Sequence, residues 1–345
     1  MPFSCPTPLP ARDTVLLGHG SGGKLSAQLL HDVFLPALAN PLLERLEDQA
    51  VLESNGARFA FTTDSFVVKP LFFPGGDIGS LAVHGTVNDL AVGGARPLAL
   101  SAAFILEEGF SLAELRRIVE SMARAAATVG VPIVTGDTKV VEHGSGDGVF
   151  ITTTGIGVVA PGINLSAANA RPGDTVILSG PIGDHGIAIL TQREGLALES
   201  TVESDSMPLH TLVAAILAVT NEVRAMRDPT RGGLASTLNE IAAQSKVGIA
   251  IEEPAIPVHE AVRGACELLG FDPLYVANEG KLVAIVPAAH ADAVVAAMRA
   301  HPLGADAAVI GKVVERDPGL VTMHTAFGTS RIVDLLAGDQ LPRIC

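Results

Sequence analysis

The chain has 345 residues, more than one hydrophobic core normally serves, so two domains are expected. Hydrophobic residues make up 48% and charged residues 17%, which excludes an intrinsically disordered protein. Acids outnumber bases 37 to 23, and a net charge of −14 argues against a general binder of nucleic acid or anionic membrane, because phosphate backbones are held by dense Lys and Arg.

Residues 1–13 carry Pro2, Pro6, Pro8 and Pro10 and no basic start, so they read as a disordered extension and not as a signal peptide. Val51–Glu53 and Arg58–Thr63 flank Asn55-Gly56, which predicts a type I′ hairpin whose second strand runs into Asp64. A helix is predicted over 79–92, stopped by Gly93-Gly94. Ser111 followed by Glu114 forms a capping box opening a helix over 112–129. Val131–Val134 reads as a short buried strand and Val149–Val159 as a long Thr/Val/Ile strand. Residues 161–173, rich in Pro, Gly, Asn and Ala, mark a boundary between an N-terminal domain (14–162) and a C-terminal α/β domain (170–334). In the second half, strands are expected at Thr175–Ser179, 247–252 and 281–286. Helices are expected at 185–193, 208–225, after Gly233, at 258–269 and at 289–300. Residues 335–345 lose all periodicity and read as a mobile tail.

No apolar run approaches the ~18 residues of a membrane span. The cysteines Cys5, Cys266 and Cys345 are too few and too scattered for a disulfide framework, so the cytoplasm is the expected compartment. Cys266 shares a helical stripe with Val258, Val262, Ala265 and Leu269 and reads as core.

Five sets of residues could carry chemistry. Gly18-His19-Gly20-Ser21-Gly22-Gly23-Lys24 offers backbone N–H groups for an anion nest beside a lysine, although its spacing is not that of a Walker A loop. A surface loop would account for the same residues. Asp64, Asn88-Asp89, Asp137 (with Lys139 two residues on) and Asp228 sit at strand or helix ends next to Gly or Thr. Acids so placed suit Mg²⁺ shared with phosphate oxygens, and each alone is equally a turn residue. Ser179–Gly186 is a Gly-rich strand-to-helix turn without the GxGxxG fingerprint, which sets aside a Rossmann oxidoreductase. Asn278-Glu279-Gly280-Lys281 presents a Glu on a short polar turn. Cys345, at the end of an irregular arm, reads ordinarily as an incidental terminal residue, yet it is placed as a swinging carrier thiol would be.

Together these segments resemble the HypE family of hydrogenase maturation factors, carbamoyl dehydratases of the aminoimidazole-ribonucleotide-synthetase-like ATP-binding group. The matching stretches are His19–Lys24, Thr62–Val68, Pro74–Ala91, Phe104–Phe110, Gly136–Val141, Arg227–Leu234, Asp272–Lys281 and Leu341–Cys345, with the closing Pro-Arg-Ile-Cys the most specific. Ser80 departs from a frequent Lys. The resemblance implies an α/β (α+β) fold of two domains, an N-terminal ATP-binding one that forms a homodimer and a C-terminal α/β one bearing a flexible tail. It implies ATP and Mg²⁺, with nucleotide contacts from His19, Gly20, Ser21, Gly22, Gly23, Lys24, Asp64, Asn88, Asp89, Asp137 and Asp228. Asp64, Asp89, Asp137 and Asp228 would serve the metal. Cys345 would receive a carbamoyl group from a HypF-type carbamoyltransferase and be dehydrated to a thiocyanate, with Lys139 and Glu279 as the acid/base or orienting pair. The cyano group would pass to iron on a HypC–HypD complex, without nucleic acid or membrane. Two other readings stand beside it. One is a selenide water dikinase or purine cyclo-ligase of the same fold; the other is a non-catalytic metallochaperone using Cys345, against which the lack of CxxC or HxxxH spacing argues.

Overall fold

The computed structural model describes residues 14–195, 202–338 and 344–345. The predicted extension 1–13 and tail residues 339–343 lie outside them. The first half begins with two short helices, α1 (Lys24–Leu29) and α2 (Leu35–Leu38). Strands β1 (Ala50–Ser54) and β2 (Ala57–Phe66) follow, joined by Asn55-Gly56. Both turn residues have positive φ (51° and 79°), the type I′ requirement that Asn-Gly meets at low cost. A small ribbon, β3 (Phe72–Phe73) and β4 (Gly76–Asp77), leads into α3 (Ile78–Val92). Then come β5 (Ala95–Glu107), α4 (Leu112–Val129), β6 (Ile133–Val141) and β7 (Val149–Val159). The sheet order is β1-β2-β7-β5-β6, antiparallel except for β5 and β6.

The second half comprises β8 (Asp174–Leu178), α5 (Asp184–Glu194), α6 (His210–Val219), β9 (Ala225–Arg227), α7 (Gly233–Ser245), β10 (Gly248–Glu252) and α8 (Glu260–Leu269). It closes with β11 (Val283–Pro287), α9 (Ala288–Arg299), β12 (Ala308–Val314), β13 (Val321–His324) and β14 (Ser330–Val333). Its seven strands run β14-β13-β10-β12-β8-β11-β9. Successive residues of the central strands serve two separate cores. Val176, Leu178, Val283 and Ile285 pack with Leu234, Leu238 and Ile241 of α7. Ile177, Ala284 and Val286 pack with Leu212 and Ile216 of α6 and Val294 and Met298 of α9. Strands covered on both faces need apolar residues at every position, which is why they read as continuous apolar runs.

Three expectations are corrected. The predicted buried strand Val131–Val134 is the edge strand β6, which starts at Ile133 and continues through Gly136-Asp137 to Val141 with most residues exposed. The predicted helix 208–225 ends at Val219. Thr220 turns extended and its Oγ1 accepts from the N–H of Glu222 at 3.0 Å, after which the chain forms β9. The closing strands β12, β13 and β14 are not among the expected elements: β13 and β14 have only four residues each, and Gly311-Lys312 interrupts the apolar run of β12.

The helix α3 positions the site. All of its fifteen residues except Ser80 and Asp89 are buried, as expected for a helix apolar on nearly every side. One side lies on the first sheet, where Thr153 Oγ1 donates to the Ala82 carbonyl at 2.9 Å. Its C-terminal end, Ala91 and Val92, packs with Leu209, Leu212 and Met226 of the second half. Asn88 and Asp89 are thereby carried to the junction between the sheets.

The register decides which acids share a face. Asp64 pairs with Thr153, Thr153 with Ala102, and Ala102 with Gly136. That row faces α3. Asp137 belongs to the adjacent row, with Ala103, Thr152 and Ser65, and points to the outer face together with Ile105 and Lys139. Asp64 and Asp137 are three strands apart, about 14 Å at the usual strand spacing, on opposite faces.

Candidate active site

At the junction, Asp64 of β2, Asp89 of α3, Asp228 just after β9 and Glu279 just before β11 form one electrostatically coupled group, with Asp48 from the preceding loop beside them. Burial raises every one of these carboxyls, and their mutual repulsion raises Asp89, Asp228 and Glu279 further. Asp228 is pushed up to about 8. Thr62 Oγ1 lies 2.8 Å from Asp89 Oδ2. Glu279 is 2% exposed, and its Oε1 has no hydrogen-bond partner among the described residues.

Two arginines oppose this charge. Arg227 is pinned between the halves: Nη1 to Asp48 at 2.6 Å and to Glu240 at 3.3 Å, Nη2 to the Leu46 carbonyl at 2.6 Å and to Glu47 at 3.3 Å. Arg231 is solvent-exposed, and its Nη1 donates to the Gly20 carbonyl at 3.2 Å. Its charge is favoured by Cys345, Asp64, Glu279 and Asp89. Both arginines line a cavity of about 300 Å³ with His19, Gly20, Gly22, Ser26, Asp48, Asp228, Thr230, Ser236, Thr237 and Glu240. Hydroxyls, backbone and guanidinium groups around a small cavity bordered by acids suit a phosphate end and its counter-cation.

The Glu279 turn is tightly set. The Glu279 N–H donates to Asp205 Oδ1 at 3.0 Å, and Lys281 Nζ lies 3.0 Å from Asp205 Oδ2. A side chain at Gly280 would run into the Asp205 carbonyl, so only glycine admits this approach. Asn88 braces the same place. Its Nδ2 donates to the carbonyls of Met207 (3.1 Å) and Glu279 (3.2 Å), and its Oδ1 accepts from the Leu209 N–H (2.8 Å). Those bonds commit the Asn88 amide to backbone.

Ile344 and Cys345 reach into this junction. Ile344 is buried, the Val67 N–H donates to a Cys345 α-carboxylate oxygen at 3.0 Å, and His185 Nε2 lies 2.6 Å from the Ile344 carbonyl. Burial pushes the Cys345 thiol well above its ordinary range. Arg231 opposes the shift, while Glu279 and Asp64 add to it. Cys266, by contrast, is a buried core thiol on α8, pushed up to about 11.

The structure thus brings together Asp64, Asp89, Asp228, Glu279 and Cys345, with Asn88 as a brace. His19, Gly20 and Gly22 line the cavity. Ser21 Oγ lies 3.2 Å from the Gly338 carbonyl, Gly23 abuts Leu336, and Lys24 Nζ lies 2.6 Å from Asp334, so these three face the 334–338 segment. Asp137 and Lys139 pair with each other at 3.2 Å on the exposed outer face, and Lys139 lowers the Asp137 carboxyl. Sequence reading passed over Arg231 and His185, although both lay in segments singled out for neighbouring residues. Asp48 and Asp205 had no usable signal, since isolated charged residues in a loop have no periodicity to betray them, and Arg227 opened a matching stretch but was given no role.

Among the described residues no group of three or more His, Cys, Asp or Glu side chains is arranged to hold a metal ion by itself. The chemistry of the donors nevertheless fits Mg²⁺. Several carboxylates are held together at electrostatic cost, and Mg²⁺ is commonly bound by one or two carboxylates with substrate phosphates completing the shell.

Comparison with known proteins places the chain in a class and then in a family. A family profile for the N-terminal domain of AIR synthase related proteins matches residues 46–159, and one for their C-terminal domain matches 171–323. The two sheets are therefore those of an AIR synthase related α/β fold. The carbamoyl dehydratase HypE of Azotobacter vinelandii is 62% identical over 332 residues, covering 96% of this chain and 97% of the relative. A crystal structure of HypE in complex with ATP is 51% identical with a TM-score of 0.81, covering 96% of this chain and all of that one. A HypE–HypF complex has a TM-score of 0.86 at 51% identity, covering 89% and 99%. The chain belongs to the HypE family.

Proposed function

We propose that this protein uses ATP to remove water from a carbamoyl group carried on the Cys345 sulfur, leaving a thiocyanate as the source of a cyanide ligand for iron in hydrogenase maturation. The observation that carries the reading is the docking of Ile344 and Cys345 at the junction, through the Val67 and His185 hydrogen bonds, where Arg231, Glu279 and Asp64 act electrostatically on the Cys345 thiol. Family membership supports the same activity.

The chemistry follows from the parts. An amide oxygen leaves poorly, so it must first become a phosphate ester. The carbonyl oxygen of the S-carbamoyl group attacks the γ-phosphorus of ATP, ADP departs, and the nitrogen gives up one proton. Loss of the second N–H proton then drives out phosphate and leaves S–C≡N. Overall, S-carbamoyl and ATP become S-cyano, ADP, phosphate and one proton. Arg231 neutralises charge developing on the transferred group. Glu279 takes the nitrogen proton, a role that suits a buried carboxylate whose pKa is raised and whose Oε1 is unengaged. Mg²⁺, held by Asp228 and Asp89 or Asp64, would screen the phosphate charges. The Gly20–Gly22 backbone and the Ser236 and Thr237 hydroxyls surround the phosphate end.

The same reading includes a homodimer. The outer face of the first sheet exposes Phe61, Ile105 and Ile156. An apolar face of this kind supports a second copy packing there. Asp137 and Lys139 lie on that face, so they would reach nucleotide across the dimer and not within one chain. The division into an N-terminal ATP-binding domain and a C-terminal domain at 163–169, a HypF-type carbamoyl donor, a HypC–HypD acceptor and a cytoplasmic location belong to the proposal. No helix among the described residues is long and apolar enough to cross a membrane.

The test is mass spectrometry of the C-terminal peptide after incubation with a HypF-type carbamoyltransferase, carbamoyl phosphate and Mg-ATP. Carbamoyl addition followed by loss of one water is expected in the native chain. In Glu279→Gln the peptide is expected to stop at the carbamoyl stage. The water-loss step appearing in Cys345→Ala, or at the native rate in Glu279→Gln, would overturn the assignment.

A further inference from the structure

We propose that His185 is a positioning residue that latches the C-terminal segment into the site, by donating a hydrogen bond from Nε2 to the Ile344 carbonyl. The proposal deepens the reading of Cys345 as the carrier and rests on it.

His185 sits in the first turn of α5 and is fully buried. Its Nε2 is 2.6 Å from the Ile344 carbonyl oxygen and its Nδ1 is 2.7 Å from Ser204 Oγ. A carbonyl can only accept, so Nε2 carries the proton. Burial disfavours the imidazolium, so the ring is neutral, and Nδ1 accepts from the Ser204 hydroxyl. Ser204 is fixed in turn: its N–H donates to the Pro74 carbonyl at 2.8 Å, and its Oγ accepts from the Ser206 N–H at 3.1 Å. The Phe73 ring meets the imidazole edge-on, with centroids 5.6 Å apart. The scaffold contacts from Ser204 and Phe73 therefore hold the plane and position of the ring, and the Ile344 carbonyl fixes its tautomer. Both polar atoms of His185 are committed, one to the scaffold and one to the tail.

Among the described residues, His185 and the Val67 N–H supply the hydrogen bonds to Ile344 and Cys345. Both address main-chain oxygens, the Ile344 carbonyl and a Cys345 α-carboxylate oxygen, so they fix where the last two residues lie without engaging the thiol. The Cys345 side chain is left to face Arg231, Glu279 and Asp64. Val67 acts through its backbone, so His185 is the latch that substitution can reach.

The experiment reads thiol exposure in the full-length unmodified protein, with neither ATP nor carbamoyl donor present. Iodoacetamide labelling is followed by release of the 339–345 peptide with a protease cutting before Asp339, and Cys345 and Cys266 are quantified separately. Losing a buried hydrogen bond to a carbonyl is expected to speed Cys345 labelling roughly tenfold in His185→Ala. His185→Gln, whose amide N–H can reach the same carbonyl, is expected to stay within about threefold of the native rate, with Cys266 unchanged in both. Native-rate labelling of Cys345 in His185→Ala overturns the latch. So does His185→Gln labelling as fast as His185→Ala, or Cys266 labelling rising in parallel, which would report general loosening. The assay involves no dehydration, so the latch can fail while the water-loss chemistry stands, and the chemistry can fail while the latch stands.

Discussion

Asp228→Asn is expected to stabilise the fold while weakening the site. Burial, reinforced by Asp48 and Asp64, lifts the Asp228 carboxyl from 3.8 to about 8 against the pull of Arg227. The folded-state pKa therefore lies above the unfolded one. At about pH 4 and below, the group is protonated in both states and costs little. As the pH rises the unfolded chain releases the proton and the folded chain keeps it, so stability falls through the window from roughly 4 to 8. The gap between 3.8 and about 8 converts to at most ~6 kcal/mol, and charge sharing with the neighbouring carboxyls makes the realised penalty smaller. Asn keeps the shape and cannot ionise. In urea unfolding, its stabilising effect is expected to grow by ~2–4 kcal/mol between about pH 5 and about pH 8.5. Mg-ATP, which stabilises whichever protein binds it, is expected to raise the unfolding midpoint of the native chain more than that of the variant. A destabilised variant at the higher pH, or a gain that does not change with pH, would refute the electrostatic reasoning.

Arg227→Met keeps much of the side-chain volume but leaves Asp48, Glu47 and Glu240 without their cation, so a loss of ~3–5 kcal/mol is expected by urea unfolding. Gly280→Ala forces its new methyl against the Asp205 carbonyl and must displace the turn that presents Glu279; a loss of ~1–3 kcal/mol, with slower water loss from the carbamoylated peptide, is expected.

What sequence could reveal depended on whether a residue's role was local. The Asn55-Gly56 hairpin, the Ser111 cap and the helix ended by Gly93-Gly94 are set by their own dihedrals and near neighbours, and each forms where expected. Strands β8 and β11 were found because double-sided burial writes an apolar residue at nearly every position. Strand β6 was truncated because Gly136-Asp137 mimics a turn, and only the pairing with β5 keeps that stretch extended. The candidate site divides in the same way. Asp89, Asp228 and Glu279 sit near recognisable breaks, and Asp64 was picked out as a strand end although β2 runs on to Phe66, so each could be picked out singly. Their convergence, and the separation of Asp137 from Asp64, come from strand order and register, which no local window contains. Arg227 is the clearest case. It lies in a three-residue strand, and its four partners come from the 46–48 loop and from α7.

The electrostatics of Cys345 bear on the order of events. A thiol attacks as thiolate, and a raised pKa removes the thiolate at neutral pH. The docked Cys345 is raised by burial and by Glu279 and Asp64, so the docked position suits a thiol already loaded better than one about to be loaded. In the reaction proposed above, the sulfur no longer titrates once it carries a carbamoyl group. The same acids then cease to oppose it and become what dehydration needs, a base beside the nitrogen and carboxylates for a cation at the phosphates. A main-chain latch at Ile344 serves both states, because it holds the segment without engaging the sulfur. Loading outside and dehydration inside are thus the arrangement under which one set of carboxyls does not work against one of the two steps.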